Sequence, residues 1–456
     1  MGDGSFGLTE AVSMALGGMI GGGIYAVLGV VTGIARAATW FAFLLAGIFA
    51  ICAAYSYVGL NELATDDGDD DSGGGSVTFV QSFTGNSTLA GMIGWTLLFG
   101  YVGSMAMYAF AFAEFTISLP GVPSSIGGLP LRPGISVLVI AGFVGLNLLG
   151  TRATGSAENV LTSVKVLVLV AFGLAGVVYA LFVSSESVAF GTSRLTSFSP
   201  IMAAAVSFVA FQGWQLLFYD QESIADPLET IPKAIYLSIP VAVVIYMLVA
   251  LVTYNLAPSA IQHNPHTALV NAASTIGGAV GLASAAGIVI SLSALFSTGS
   301  AINATLFSAG YFAKGMLTDD LLPDRAGDAS VSGVPTRTLL ILGVVTAAFT
   351  AYGSLSAITA FASLSFIIVF GAMCALALGQ RDTDRIAAAP PAVGALGGGL
   401  SFVLMFYHLY TAERGTFYAV LLIAVAVFAA ELLYFERDVL EEEIPYVDHD
   451  AETAAD

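Results

Sequence analysis

The chain has 456 residues, of which 57% are hydrophobic and only 10% charged. Soluble domains carry roughly 25% charged residues, so a water-soluble fold of this length could not clothe its surface with so few. Thirteen basic residues against 32 acidic ones, a net charge of −19, repel phosphate and exclude a nucleic-acid binder.

A membrane-crossing helix needs about 20 mainly apolar residues, because the hydrocarbon core is about 30 Å thick and the helix rises about 1.5 Å per residue. Runs of this kind lie near 8–34, 38–62, 89–118, 134–150, 157–183, 199–222, 233–256, 273–312, 337–352, 355–379, 391–411 and 415–436. The first reads as a span rather than a cleaved signal peptide, since Met1-Gly2-Asp3 offers no basic start and the apolar run is too long. The eighth is too long for one straight crossing and is expected to continue into the cytoplasm. Backbone groups in lipid must be satisfied internally, so the expected fold is an all-α membrane bundle with 12 transmembrane helices. Residues 1–436 form one transmembrane domain on this reading, and 437–456 an acidic cytoplasmic tail.

Orientation follows from Lys and Arg in the connections. With the N-terminus inside, the inner side receives Arg152, Lys233, Lys314, Arg325, Arg337, Arg381, Arg385 and Arg437. The outer side receives Arg36, Arg132, Arg194 and Arg414, which places both termini in the cytoplasm of a multi-pass protein of the cell membrane. The acids gather at Asp66, Asp67, Asp69, Asp70 and Asp71 and from Glu436 to Asp456, whereas Lys occurs only at 165, 233 and 314. Acidic, lysine-poor aqueous segments resemble those of extreme halophiles, where carboxylates hold hydration against salt. The plain alternative is two solvated acidic stretches.

Cys52 and Cys374 sit inside apolar runs and read as small buried hydrophobes, with no disulfide or zinc spacing. His263 and His266 flank Asn264-Pro265, and a metal pair there has little behind it. Neither a metal nor a cofactor is expected.

The first run is interrupted by Gly17-Gly18-Met19-Ile20-Gly21-Gly22-Gly23-Ile24-Tyr25. Each glycine costs a helix about 1 kcal/mol relative to alanine. One reading is helix packing through small-xxx-small pairs. The other is a mid-membrane break, which would expose amide N–H groups at a positive helix terminus, suited to a carboxylate. The sixth run decides between them. Phe208-Val209-Ala210-Phe211-Gln212-Gly213-Trp214-Gln215 sets a glycine between two glutamines in an apolar stretch. Interrupted segments at corresponding places in two halves point to a secondary transporter's site. Runs one and six are five apart, which fits two inverted five-helix repeats plus two extra helices.

These motifs resemble those of amino-acid permeases of the amino acid–polyamine–organocation (APC) superfamily. The 17–25 segment is similar to that family's first-helix motif, and Phe211-x-Gly213-Trp214 with Glu222 and Pro227 to its sixth-helix motif. Gly73 to Val80, Asn147 to Arg152, and Leu306-Phe307 through Leu321-Leu322-Pro323 resemble further family segments, so the likeness covers most of 8–380. It implies a five-plus-five inverted-repeat transporter with discontinuous helices 1 and 6, repeats near 8–183 and 199–380, and extra helices near 391–436.

The resemblance also implies a site. Amides around Gly21, Gly22 and Gly23 would hold a substrate carboxylate. Carbonyls of Met19 and Ile20, and of Val209, Ala210 and Gln212, would meet its ammonium, with Phe211 and Gly213 completing the broken segment. Val209 stands where many relatives carry an aromatic gate, and Trp214-Gln215 replaces a more frequent aromatic–acid pair, which favours neutral substrates. Lys165 lies inside the fifth run, where a charge is expensive and function is the default reading; snorkelling to the interface is the alternative. Several relatives have a lysine there, in the space that sodium fills in sodium-coupled cousins, with Ser297 and Thr298 as neighbours. An ammonium out of water can bind and release a proton, so the coupling ion is expected to be a proton, with sodium as the alternative. Glu114, near the outer end of the third run, is either a vestibule residue or an interfacial one.

The expected function is secondary active transport of amino acids by alternating access, as proton-coupled symport or exchange. The rivals are a cationic amino-acid or polyamine carrier and, from another class, a membrane sensor or channel with a degenerate ligand site. An enzyme is not expected, because no paired acids, His cluster or nucleophile–base set occurs in the spans.

Overall fold

The computed structural model describes residues 6–66, 74–149, 155–219, 221–331 and 333–430. The acids at 67–71, the end of the Asn147–Arg152 motif and the tail from 431 lie outside the described residues.

The chain folds as α-helices with one small hairpin. α1 (Leu8–Ala35) and α2 (Thr39–Asp66) are joined by a 3₁₀ turn at Arg36–Ala38. α3 (Ser76–Thr84) is short, and α4 (Ser87–Ile117) is long. A two-strand hairpin, β1 (Ser125–Ile126) with β2 (Leu129–Pro130), leads to α5 (Leu131–Leu148) and α6 (Gly155–Phe182). α7 (Phe198–Ser207) is followed by 3₁₀ segments at Phe208–Phe211 and Trp214–Tyr219, then by α8 (Pro227–Leu256). α9 (Pro258–His263), α10 (Ala268–Gly278), α11 (Ala283–Thr318), α12 (Thr336–Tyr352), α13 (Leu355–Gly379), α14 (Ala389–Ala412) and α15 (Arg414–Ala430) complete the order.

Among the described residues, nine segments are long and apolar enough to cross a membrane, and the first of them, Leu8–Thr65, holds both α1 and α2. α12 and α15 are apolar but shorter. Helix starts follow local chemistry. Asn86 accepts the Leu89 amide at 2.8 Å to open α4, and Ser354 accepts the Ala357 amide at 3.1 Å to open α13. Inside the helices, the hydroxyls of Thr32, Ser56, Ser104 and Thr298 donate to carbonyls four residues back, so no water is needed to satisfy them.

Two expectations are corrected. The 273–312 run is two helices, α10 and α11, separated by a turn in which Gly281 takes φ +73°. Gly277, Gly278 and Gly281 weaken helix propagation there, and α11 alone then continues to Thr318. The first helix is unbroken: α1 runs through Gly17–Gly23 without interruption. The glycines serve packing, because neighbouring backbones and rings occupy the space their side chains would need.

Burial separates centre from rim. Of the most apolar window in Phe198–Tyr219, 94% is buried, and 83% in Ser87–Ile117, against 17% in Leu131–Leu148 and 22% in Ala389–Ala412. Leu138, Leu167, Val344, Leu396 and Leu422 point outward, as a lipid-facing rim requires. At the centre α1 crosses the broken sixth segment. A Cβ built on Gly18 would lie 2.8 Å from Gly213 Cα, and one on Gly213 would lie 2.7 Å from the Gly18 carbonyl carbon. Gly213 also has φ +127°, a conformation closed to other residues. Helices in lipid associate through such close backbone contact rather than through the hydrophobic effect. Gly213→Ala is therefore expected to destabilise the protein by at least about 2 kcal/mol, from backbone strain and overpacking together. Thermal unfolding in detergent measures this, with Gly415→Ala, at an open position, as the neutral control.

Candidate functional site

The sixth segment breaks where its sequence predicts. After Phe211 the chain extends at Gln212 (φ −79°, ψ 155°), turns at Gly213 and resumes as a 3₁₀ helix from Trp214. A break inside an apolar bundle leaves backbone groups that need partners. Ser363 of α13 supplies one set, its Oγ donating to the Val206 carbonyl at 2.6 Å and accepting the Val209 amide at 3.1 Å. Tyr246 of α8 supplies another, its hydroxyl directed at the carbonyls of Met19 at 2.6 Å and Ala210 at 3.0 Å. One phenol thus ties α1 to the broken segment.

The side chains at the break bond to one another. Gly213 N–H donates to Gln215 Oε1 at 2.6 Å, Gln215 Nε2 to Gln212 Oε1 at 3.3 Å, and Gln212 Nε2 to Tyr108 Oη at 2.6 Å. Tyr108, on α4, covers Gly22: a Cβ there would lie 2.0 Å from the ring. Met19, Ile20, Val209, Ala210 and Phe211 are fully buried around this crossing.

The residues expected to bind are therefore together, but the α1 amides among them are engaged within the helix. In a continuous α1 the amides of Gly21, Gly22 and Gly23 face the carbonyls of Gly17, Gly18 and Met19, so no break presents them to a ligand in this conformation. Lys165 is buried at 2% exposure, which removes the snorkelling alternative, and its Nζ donates to the Gly17 carbonyl at 3.2 Å. Ser297 and Thr298 are also buried; the Ser297 carbonyl lies 3.6 Å from where a Gly21 Cβ would stand, and Thr298 bonds back to Ala294. Tyr108, Tyr246 and Ser363 lie outside the motifs that mark the site in the sequence. The available signal was a tyrosine in mid-span, since a buried phenol needs a partner.

Among the described residues, contacts bridge both ends of the crossing. Near the N-terminus, the Phe6 amide donates to the Ser223 carbonyl at 2.7 Å and the Ala225 amide to the Phe6 carbonyl at 2.9 Å. Beside this, the carboxamides of Asn61 and Gln221 exchange two hydrogen bonds of 3.3 Å. At the opposite end, the Arg132 guanidinium donates to the Thr350 carbonyl at 2.5 Å and lies 4.1 Å over the Phe110 ring. His266, in the 3₁₀ turn Pro265–Thr267, sets its ring edge-on to the same Phe110 at 5.6 Å. Glu114 lies near Arg132 on this side, half-buried.

Burial, with the charge of Arg132 adding to it, holds the His266 pKa below its ordinary 6.5. The neutral ring is thus the folded form, and the unfolded chain binds the extra proton as pH falls. His266 contributes stability above pH 6.5 that is lost as pH drops from there toward its folded-state pKa. Melting temperature followed from pH 8 to 5 should fall less steeply in His266→Gln than in the parent; parallel curves would refute this. Tyr246→Phe should cost about 1–3 kcal/mol, because two buried carbonyls lose their shared donor, again read from thermal unfolding.

Comparison with known proteins gives a consistent result. A family described as amino acid permease matches residues 6–435. The chain is 31% identical over 320 residues to the uncharacterized protein MJ0609 of Methanocaldococcus jannaschii, covering 70% of this chain and 69% of that one. It is 29% identical over 318 residues to the inner membrane transport protein YbaT of Escherichia coli, covering 70% of each. In fold it is similar to a manganese transporter of Eremococcus coleocola, with a TM-score of 0.60 at 10% identity over 95% of this chain and 94% of that one.

Proposed function

The chain belongs to the amino acid permease family, and on that premise we propose that it moves neutral amino acids across the cell membrane by alternating access. It is a multi-pass membrane transporter and not an enzyme. The observation that carries the finer reading is the crossing of α1 with the broken sixth segment, where backbone polar groups from both gather in the buried centre.

Substrate entry requires the two segments to part. The glycine run is the cheapest part of α1 to unwind, each glycine giving up about 1 kcal/mol less helix stability than alanine would. Unwinding frees the amides of Gly21, Gly22 and Gly23 for the substrate carboxylate. The carbonyls of Met19, Ile20, Val209, Ala210 and Gln212 then receive its ammonium, with Tyr246 released from two of them. Gln215 stands where a cationic side chain would need an acid, and this supports neutral substrates. Phe211 and Gly213 hold the break in shape.

Lys165 is the coupling group in this reading. Burying an ammonium mid-span costs about 2.5–3.5 kcal/mol, so its place against the Gly17 carbonyl calls for a use. Protonated, it pins α1 at the start of the glycine run; deprotonated, it lets that run loosen. Ser297 and Thr298 of α11 line the other side of this region. The cycle is then proton symport, or exchange with Lys165 as a fixed charge. Ten of the twelve spans would form two inverted five-helix repeats beside two extra helices, with both termini cytoplasmic, and spans 1, 2, 6 and 7 would rock against spans 3, 4, 8 and 9.

Uptake of labelled neutral amino acids into proteoliposomes tests the proposal. Saturable uptake that accumulates with an inward proton gradient is expected, and Lys165→Gln should lose the accumulation while a thermal shift by substrate persists. Accumulation that needs sodium and ignores the pH gradient would overturn the coupling, and ion conductance without saturable uptake would overturn the transporter reading.

A further inference from the structure

Backbone capture of an ammonium and a carboxylate leaves two central side chains without a role. Tyr108 and Gln212 are both about 1% exposed, one on α4 and one at the break. They are joined by a hydrogen bond of 2.6 Å. Through Gln215 that bond continues to the amide of Gly213, so an unbroken chain of donors and acceptors runs from the break to the ring covering Gly22. Its three hydrogen bonds close the network within the protein.

We propose that Tyr108 and Gln212 form the subsite for the substrate's side chain, and that they select uncharged amino acids whose side chains hydrogen-bond, through a hydroxyl or a carboxamide. The inference rests on reading the glycine run and the break as the amino-acid site. The argument is steric first. The Tyr108 ring fills the space beside Gly22 that a Cβ would occupy, so a ligand seated on that residue displaces the ring. Displacement parts Gln212 Nε2 from Tyr108 Oη and leaves a buried donor and a buried hydroxyl without each other. A side chain carrying an oxygen accepts from Gln212 and can donate to Tyr108, closing the network again. A methyl group of the same size leaves both unpaired, a loss that corresponds to roughly tenfold to a hundredfold in affinity. Sites built to hydrogen-bond a substrate group discriminate against the isostere lacking it for this reason. A charged side chain gains no counter-charge from two carboxamides and a phenol.

Competition between isosteres in proteoliposomes provides the test. Labelled threonine uptake is challenged with unlabelled threonine or valine, and labelled asparagine uptake with asparagine or leucine. Threonine and asparagine should inhibit at concentrations at least about tenfold lower than their isosteres. In Gln212→Leu the two members of each pair should become equal within about twofold, and in Tyr108→Phe the gap should narrow. Equal potency in the parent, or an undiminished preference in Gln212→Leu, would overturn the subsite. If Gln212→Leu fails to fold, the parent comparison and Tyr108→Phe still decide. Saturable uptake without the isostere preference defeats only this inference, whereas no amino-acid uptake at all defeats the reading beneath it and this one with it.

Discussion

The structure depends on a contact between two backbones. Gly18 of α1 and Gly213 of the sixth segment approach so closely that a Cβ on either would overlap the other's main chain. In lipid no hydrophobic force draws helices together, so dispersion and polar contacts at short range must do it. A crossing this tight brings carbonyls from two elements within reach of one phenol, Tyr246, and sets Tyr108 against Gly22. The break needs partners only because it is buried, and it is buried because the crossing is tight.

The polar groups of the centre are arranged around that contact. Ser363 holds the upstream side of the break, Gln215 the downstream side, and Lys165 meets α1 at Gly17. Each is buried in surroundings where an unsatisfied group would be costly. With Phe6 paired to Ser223 and Ala225 at one end and Arg132, Phe110 and His266 packed at the other, the centre is covered on both sides. A continuous α1 fits this closed arrangement, since its glycine amides then satisfy themselves along the helix axis.

Much of this was legible in the sequence, for identifiable reasons. Hydropathy located the apolar helices because lipid forces near-continuous apolar runs, and Gln212-Gly213 marked the sixth break because polar residues have no other reason to sit there. The glycines of α1 misled, because the same residues permit a break and permit close packing, and only the neighbours decide. Those neighbours, Gly213, Tyr108 and Ala301, are distant in the chain. The division of the eighth run turned on three glycines that raise no signal in a hydropathy window. Ser363 was invisible for the opposite reason: its partners are backbone atoms, which leave no mark on composition.

The 3₁₀ winding of Trp214–Tyr219 carries a mechanical consequence. A 3₁₀ helix advances about 2.0 Å per residue against about 1.5 Å for an α-helix, and its hydrogen bonds are poorer. These six residues are therefore about 3 Å longer than the same sequence wound as α-helix. Rewinding them would shorten the segment and draw Gln221, with its Asn61 partner, toward the break. The stretch thus has a shorter form within the ordinary repertoire of the polypeptide, and in the chain it lies between the centre and Gln221.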